Sequence, residues 1–262
     1  MRSVVLGAIA GLILACAPGP MGQTSSPSPA STEAELIVFA ASDLQFAFAE
    51  VAGAFAAAGH PKPTISIGST GLLSQQIENG APADLFFAAD ESYVVALERK
   101  GIVLPDSRQV YASGRVVLVE RAGILPVTTL ADLERSDVRH VAIANPEHAP
   151  YGRAARDALT RAGRWSAIEP KLVLGENISQ TFQFVRTGNA DAGVVALSLA
   201  VGTPGTRYSL IDAALHEPIT QSAAVVARSR QPAAARAFLA FVNGPVGRPI
   251  MRKYGFTLPG EA

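Results

Sequence analysis

Ile67 to Asp90 reads IGSTGLLSQQIENGAPADLFFAAD, and the order of elements in this stretch sets the reading of the whole chain. Thr64 to Ile67 is a β-type run that breaks at Gly68-Ser69-Thr70-Gly71, after which Leu72, Leu73, Gln76 and Ile77 fall at helical spacing. The segment is therefore a strand, a small polar turn that puts Ser69 or Thr70 at a helix N-cap, and a helix. The first N–H groups of a helix have no intrahelical acceptor and lie at the positive end of the macrodipole, and neighbouring hydroxyls add donors, so such a turn can hold an anion. Ser and Thr are also preferred caps in their own right, so one turn of this kind signals no more than a helix start. An anion site needs more of them.

They recur. Glu35 to Ala40 reads as a short buried strand, followed by Ala41-Ser42-Asp43 and a helix with Leu44, Phe48, Val51 and Phe55 on one face, so Ser42 sits at a second strand-to-helix junction. Asp84 to Ala88 is a strand, and Glu91 to Lys100 a helix ending at Gly101. Arg115 to Val119 opens a second lobe, with a helix around Thr129 to Arg135 and a strand from His140 to Ala144. Pro150 then starts a helix through Ala155, Leu159 and Ala162, leaving Tyr151 and Gly152 with free first-turn N–H groups, a third candidate turn. After the strand Lys171 to Leu174, Asn177 caps a helix with Phe182 and Val185 inward, so Ile178 and Ser179 supply a fourth.

Gly193 to Leu197 and Ser222 to Ala227 are further strands; Ala233 to Asn243 and Gly247 to Tyr254 are helices expected to return to the first lobe. Alternating strands and helices predict an α/β fold of two lobes, each a mostly parallel sheet flanked by helices. Crossovers near Tyr111 to Arg115 and Glu217 to Ser222 assign residues 35–112 and 221–262 to lobe 1 and 113–220 to lobe 2. In an open α/β sheet, ligands sit at the carboxyl ends of the strands, so the four turns are expected to converge on the cleft between the lobes.

Twenty-two basic residues against 22 acidic ones leave no net charge, and there is no basic block or aromatic-basic interleaving, so nucleic acid is not an expected partner. At the N-terminus, Met1-Arg2 and the apolar run Val4 to Ala15 match a signal peptide and fall short of the ~20 residues that span a bilayer, which predicts export. Ile13-Leu14-Ala15-Cys16 resembles a bacterial lipobox, in which Cys16 would be lipidated; the alternative is a Cys in a discarded signal. Cys16 is the sole cysteine, so no disulfide is expected. Residues 17–34, APGPMGQTSSPSPASTEA, lack large apolar side chains and read as a flexible tether.

No Lys lies in any of the four turns, and His148 and Arg153 are the nearby basic groups. N–H and O–H donors can compensate a dianion through dipoles and hydrogen bonds without a counter-cation. A site with few acceptors leaves the O–H of a protonated oxyanion unpaired, so it selects fully ionised tetrahedral dianions over hydrogen phosphate. Ser42 beside Asp43, and His148, are the candidates for nucleophile and base; Asp43 reads more simply as a partner of the helix dipole and His148 as a loop or hinge residue, so catalysis is not expected. His60, His140 and His216 have no companion at metal-ligand spacing, and no metal cation or cofactor is expected. Asp84 and Asp90 read as turn-fixing residues.

Phe39-Ala40-Ala41-Ser42-Asp43-Leu44, Gly68-Ser69-Thr70-Gly71 with Gln76-Ile77, Gly80-Ala81-Pro82-Ala83-Asp84-Leu85-Phe86, Asn145 to Gly152, Gly175 to Gln180 with Thr187 to Gly193, and Arg252-Lys253-Tyr254-Gly255-Phe256 resemble, in that order, the bacterial molybdate-binding proteins of ABC transporters, the ModA family. The resemblance runs from about Leu36 to Phe256 and implies a type II periplasmic-binding-protein fold. It implies a monomer that closes on molybdate or tungstate and delivers it to an inner-membrane permease. It assigns the oxyanion to hydroxyl and amide donors at Ser42, beside Ala41, and at Thr70 or its neighbour Ser69, with backbone amides of Tyr151 and Ile178 from the second lobe. Ala196 stands where some members supply a Tyr hydroxyl, which leaves a fifth donor open, with Tyr151 as a substitute. An alternative keeps the fold and makes the chain a binder of sulfate or another small oxyanion, for transport or sensing.

Overall fold

The computed structural model describes residues 35–261; the signal segment, the tether and Cys16 lie outside the described residues. In chain order the first sheet's elements are β1 (Ile37–Ala41), α1 (Gln45–Ala57), β2 (Thr64–Gly68), α2 (Thr70–Glu78), β3 (Leu85–Ala88), α3 (Glu91–Arg99) and β4 (Gln109–Gly114). The second sheet is built by β5 (Val116–Glu120), β6 (Val141–Ala144), α4 (Pro150–Arg161), α5 (Trp165–Ile168), β7 (Leu172–Gly175), α6 (Ile178–Arg186), β8 (Ala192–Ala196), α7 (Leu197–Val201) and β9 (Tyr208–Leu210). The chain then returns through β10 (Ile219–Val225), α8 (Pro232–Val242) and α9 (Gly247–Lys253).

Strand order is β2-β1-β3-β10-β4 in one sheet and β7-β6-β8-β5-β9 in the other, the same arrangement twice. In each sheet the first three strands are parallel, and one strand, β10 or β5, runs against both its neighbours. That reversed strand is the one the chain enters after crossing from the other sheet. The sequence shows no internal repeat, yet the topology repeats, because it lives in connectivity and not in side-chain identity.

One acidic residue in each sheet, Asp84 or Asp191, fixes the register at the start of a strand. Asp84, just before β3, accepts the N–H of Ile37 at the start of neighbouring β1 (2.9 Å) and the hydroxyl of Ser229 (2.6 Å). Asp191, just before β8, accepts the N–H groups of Arg139 (2.8 Å) and His140 (3.0 Å) ahead of neighbouring β6, and pairs with Arg121 (2.8 Å). Each carboxylate thus satisfies backbone donors that the ladder has not yet reached, which a buried strand end requires.

The first lobe's core centres on Phe48, Phe87 and Phe238, with Phe48 edge-on to Phe87 at 4.7 Å and to Phe238 at 5.9 Å. Phe238 comes from α8, so this cluster holds the returning C-terminal segment to the first sheet. Full burial of such a ring contributes about 2–3 kcal/mol. Leu44, Phe48, Val51 and Phe55 are all buried, as their helical spacing predicts. Two strands are not expected from the sequence: β4, whose QVYASG mixes polar and small residues, and the three-residue β9. Thr129 to Arg135 forms a 3-10 helix, Leu130–Glu134, closed by a capping box between Thr129 and Asp132.

Candidate functional site

The four turns follow equivalent strands: β1 and β2 in the first sheet, β6 and β7 in the second. Their first residues meet. Ala41, Ser42, Asp43, Gly68, Ser69, Thr70, Ala89, Ala149, Pro150, Tyr151 and Ile178 enclose one small cavity, about 190 Å³ of space between atoms. Every candidate donor is at most 4% exposed. A wider hollow, about 1100 Å³ of space between atoms and lined by Gln45, Phe46, Ile67 and α6, lies alongside; it is a solvent-facing groove without convergent helix N-termini.

Local structure prepares the hydroxyls differently. The turn after β1 is 3-10, Ser42–Leu44, before α1 begins at Gln45, so Ser42 opens a tighter turn than the α-helix start the pattern predicts. Its Oγ accepts the N–H of Ser179 from across the cleft at 3.4 Å. Thr70 Oγ1 accepts the N–H of Ala89 at 3.0 Å. Each hydroxyl thereby has an acceptor lone pair occupied, and its proton remains free to donate. Ser69 is the N-cap of α2 by position, but its side chain makes no cap hydrogen bond. Its Oγ donates instead to the carbonyl of His148 (2.7 Å) and lies 2.9 Å from His148 Nδ1. Neither hydroxyl of the Gly68-Gly71 turn caps its own helix; one faces the cavity wall and the other ties the lobes together.

From the second lobe, Tyr151 follows Pro150 at the start of α4, and Ile178 is the first residue of α6 behind the Asn177 cap, whose side chain accepts the Gln180 N–H at 3.0 Å. First-turn N–H groups at these positions have no intrahelical partner. Gly152, the other residue expected to present a free N–H, donates to Ala149 at 2.9 Å. Ala196 is fully buried at the end of β8 and brings no polar atom.

The hydroxyl of Tyr151 does not serve as a substitute donor to the cavity: it donates to Asp43 Oδ2 at 2.9 Å, and Gln221 Nε2 donates to the same oxygen at 2.6 Å. Asp43 lies in the first turn, as its reading as a dipole partner expects, with its carboxyl drawing on the first-turn N–H groups of Asp43 and Leu44; it is also a wholly buried carboxyl in the cavity wall whose Oδ1 has no side-chain partner. Burial pushes its pKa up to about 6, against hydrogen bonds from Gln221 and Tyr151 that pull it down. Tyr111 and Tyr151 are held well above the usual phenol range, first by burial and then by the Asp43 charge. Periodicity could not reveal this cluster, in which Asp43, Tyr151 and Gln221 lie 70 to 178 positions apart.

Neither nearby basic group points charge at the cavity. Arg153 is engaged by Asp90 and donates to Tyr93 Oη at 3.0 Å, while His148 is held by Ser69. Asp90 also caps α3 through the Ser92 N–H (2.8 Å). Among the described residues there is no cluster of three or more His, Cys, Asp or Glu side chains that could hold a metal ion. Gly71 N–H donates to His148 O at 3.0 Å, and Ser179 Oγ donates toward Ser42 O and Gln45 Oε1, each at 2.8 Å, so the lobes are closed on each other on both flanks.

Two crossovers joining sheets of identical topology, with helix N-termini from both gathered on one enclosed void, define a two-lobed solute-binding protein. Residues 36–257 match the model of the bacterial extracellular solute-binding proteins. The chain is 38% identical over 193 residues to the molybdate-binding protein ModA of Rhodobacter capsulatus, covering 74% of this chain and 76% of that one. It is 31% identical over 242 residues to the putative ABC transporter substrate-binding lipoprotein YvgL of Bacillus subtilis, covering 88% and 91%. The solved Azotobacter vinelandii periplasmic molybdate-binding protein superposes with a TM-score of 0.81 at 33% identity, over 86% of this chain and all of that one. The chain belongs to the ModA family of bacterial extracellular solute-binding proteins.

Proposed function

We propose that this protein captures molybdate, and tungstate with it, between its two lobes outside the cytoplasm and delivers the ion to an ABC permease. The observation that carries the reading is the convergence of Ser42, Thr70, Tyr151 and Ile178, two from each lobe, on a single buried cavity. Ser42 and Thr70 contribute hydroxyl donors whose acceptor sides are already occupied. Tyr151 and Ile178 contribute backbone N–H groups from the first turns of α4 and α6. Ala41 shapes the wall, and Ser69 acts at the rim rather than on the ion, through His148. The fully ionised dianion is stripped of water and held by uncharged dipoles, so no resident cofactor is required and the protein binds without catalysis.

Sheet membership supports the division of the chain into residues 35–112 with 221–262 as one lobe and 113–220 as the other to within two residues at each crossover, since β4 and β10 join the first sheet, running to Gly114 and starting at Ile219, while β5 to β9 form the second. We place the protein as an exported monomer, without nucleic-acid partners, held at a membrane surface through Cys16 and the tether of residues 17–34; the likeness to a named substrate-binding lipoprotein supports that anchor. Calorimetric titration of the purified protein with molybdate, tungstate, sulfate and phosphate tests the functional reading. Micromolar or tighter binding is expected for the first two only, and sulfate competing at equal concentration would overturn the molybdate assignment while leaving the fold untouched.

A further inference from the structure

We propose that the side chains of Tyr151 and Asp43 form an interlobe latch beneath the anion, acting as positioning residues that couple capture of the ion to closure of the lobes. The inference rests on the functional reading above and concerns groups that reading leaves idle. Tyr151 is joined to the site twice: it lines the cavity from the first turn of α4, where its N–H has no intrahelical acceptor, and its phenol donates to Asp43 Oδ2 at 2.9 Å in the opposite lobe. Asp43 follows Ser42 directly, so the same short turn carries an anion donor and the acceptor of the latch.

The latch is built into the crossovers as well. Gln221, on the returning strand β10, donates to Asp43 (2.6 Å) and to Tyr151 Oη (3.2 Å), and accepts from Tyr111 of β4 (2.7 Å). Ser198 of α7 donates to the Asp43 carbonyl at 2.7 Å. A Cβ at Gly114, the last residue of β4 before the chain crosses, would overlap the phenol oxygen, so the hinge has no side chain where the latch passes. Tyr151, Gln221 and the backbone N–H groups of Asp43 and Leu44 bond the carboxyl, Tyr111 reaches it through Gln221, and no Lys, Arg or His side chain among the described residues hydrogen-bonds to it. Opening the cleft separates Tyr151 from Asp43 and exposes a buried carboxyl whose partners come from both lobes; an ion that pins the Tyr151 N–H restores the bond. A ligand biases such an equilibrium only through contacts made in the closed form, and this bond is one of them.

Three variants test the latch: Tyr151→Phe, Asp43→Ala and the double variant, each studied as the whole exported domain. The measurements are molybdate affinity by calorimetry, release rate by stopped flow, and compaction on molybdate addition by small-angle scattering. Tyr151→Phe keeps every backbone donor, so the expected result is roughly 10-fold weaker binding, mostly through faster release, with reduced compaction. The double variant is expected to be no weaker than the weaker single, because both remove one interaction. Tyr151→Phe with wild-type release and compaction, or losses that simply add in the double variant, would overturn the latch. A phenol with a merely structural role would lower the melting temperature of the ligand-free protein and leave release unchanged, which also overturns it. Wild-type protein that binds none of the four oxyanions would overturn both readings; normal wild-type binding with an unaffected Tyr151→Phe would overturn the latch alone.

Discussion

Gly71→Ala isolates closure from the anion donors, because Gly71 lies beside the site and contributes nothing to it but space. A Cβ at this position would sit 2.7 Å from the His148 carbonyl oxygen, 2.9 Å from its Cβ and 3.0 Å from Tyr93 Oη. All but the hydroxyl are atoms with little freedom to move, so the closed lobes would have to part at this rim by several tenths of an ångström. The Gly71 N–H bond to His148 O, 3.0 Å in the closed form, is lost or stretched with them. Overpacking of this kind costs about 1–3 kcal/mol, and a lost hydrogen bond adds about 1 kcal/mol. The closed state is therefore destabilised by about 2–4 kcal/mol, which is roughly a 30- to 700-fold rise in Kd for molybdate. In the open form the added methyl meets no partner from the second lobe, and Ala in place of Gly in α2 favours the helix by up to ~1 kcal/mol. The variant should thus melt no lower than wild type without ligand while binding far more weakly, and titration calorimetry beside thermal melts reads both. A Kd within threefold of wild type would refute the argument that closure brings α2 against the His148 backbone.

The remaining predictions concern single side chains. Thr70→Ala removes a hydroxyl donor to a charged ligand and the acceptor of the Ala89 N–H; the expected loss is about 1.5–3 kcal/mol, or 10- to 150-fold in Kd by calorimetry. Ser69→Ala removes a rim contact to His148 and should cost about 1 kcal/mol, seen as faster release in stopped flow; equal losses for the two variants would contradict the division of roles. Arg153→Ala breaks a partly exposed pair with Asp90, so binding should weaken by threefold or less at low salt and the difference should vanish at high salt. Asp43 is held protonated in the folded protein up to about pH 6 against 3.8 in the unfolded chain, so the folded state binds the extra proton and stability from this group, full below pH 3.8, is lost as pH rises through 6. Asp43→Asn should therefore stabilise the closed form at pH 7.5 by up to about 3 kcal/mol, with the advantage shrinking toward pH 4 in denaturant melts run in saturating molybdate; a pH-independent difference would refute the assignment.

Local chemistry carried most of the fold into the sequence. Val-, Ile- and Leu-rich runs marked the central strands, Leu44, Phe48, Val51 and Phe55 marked α1, and Pro150 and Asn177 marked the starts of α4 and α6, all features decided within a few residues. The strands that escaped notice are those whose existence depends on a distant partner. β4 has an unremarkable QVYASG sequence and is a strand because β10 lies beside it, and β9 is three residues held by β5. The site divides in the same way. A first-turn N–H is a local property and was legible at Tyr151 and Ile178. What each hydroxyl does was not, because Ser69 and Thr70 are adjacent in sequence and yet one answers to His148, 79 positions on, and the other to Ala89. The local part of the Asp43 reading, a first-turn carboxylate, is legible, but its other partners are not: Tyr151 and Gln221 are 108 and 178 positions away.

The carboxyl of Asp43 alters what a cage of neutral donors can discriminate. Donors alone reject a protonated oxyanion, because its O–H finds no acceptor. Asp43 adds a buried carboxyl to the residues of the same wall, and an ionised carboxylate is an acceptor, the one kind of group the neutral donors lack for the O–H of hydrogen phosphate. The charge of a bound dianion works the other way: a second negative group within a few ångströms in a buried site raises the carboxyl's pKa beyond the value set by burial, favouring its neutral form. A neutral Asp43 offers a donor where the ionised group offered an acceptor, and the cavity then disfavours the protonated ligand again. Selectivity for a fully ionised ion therefore depends on which partner carries the single proton, and the hydrogen bonds from Tyr151 and Gln221, which stabilise the ionised carboxyl, oppose the burial that selects the neutral one.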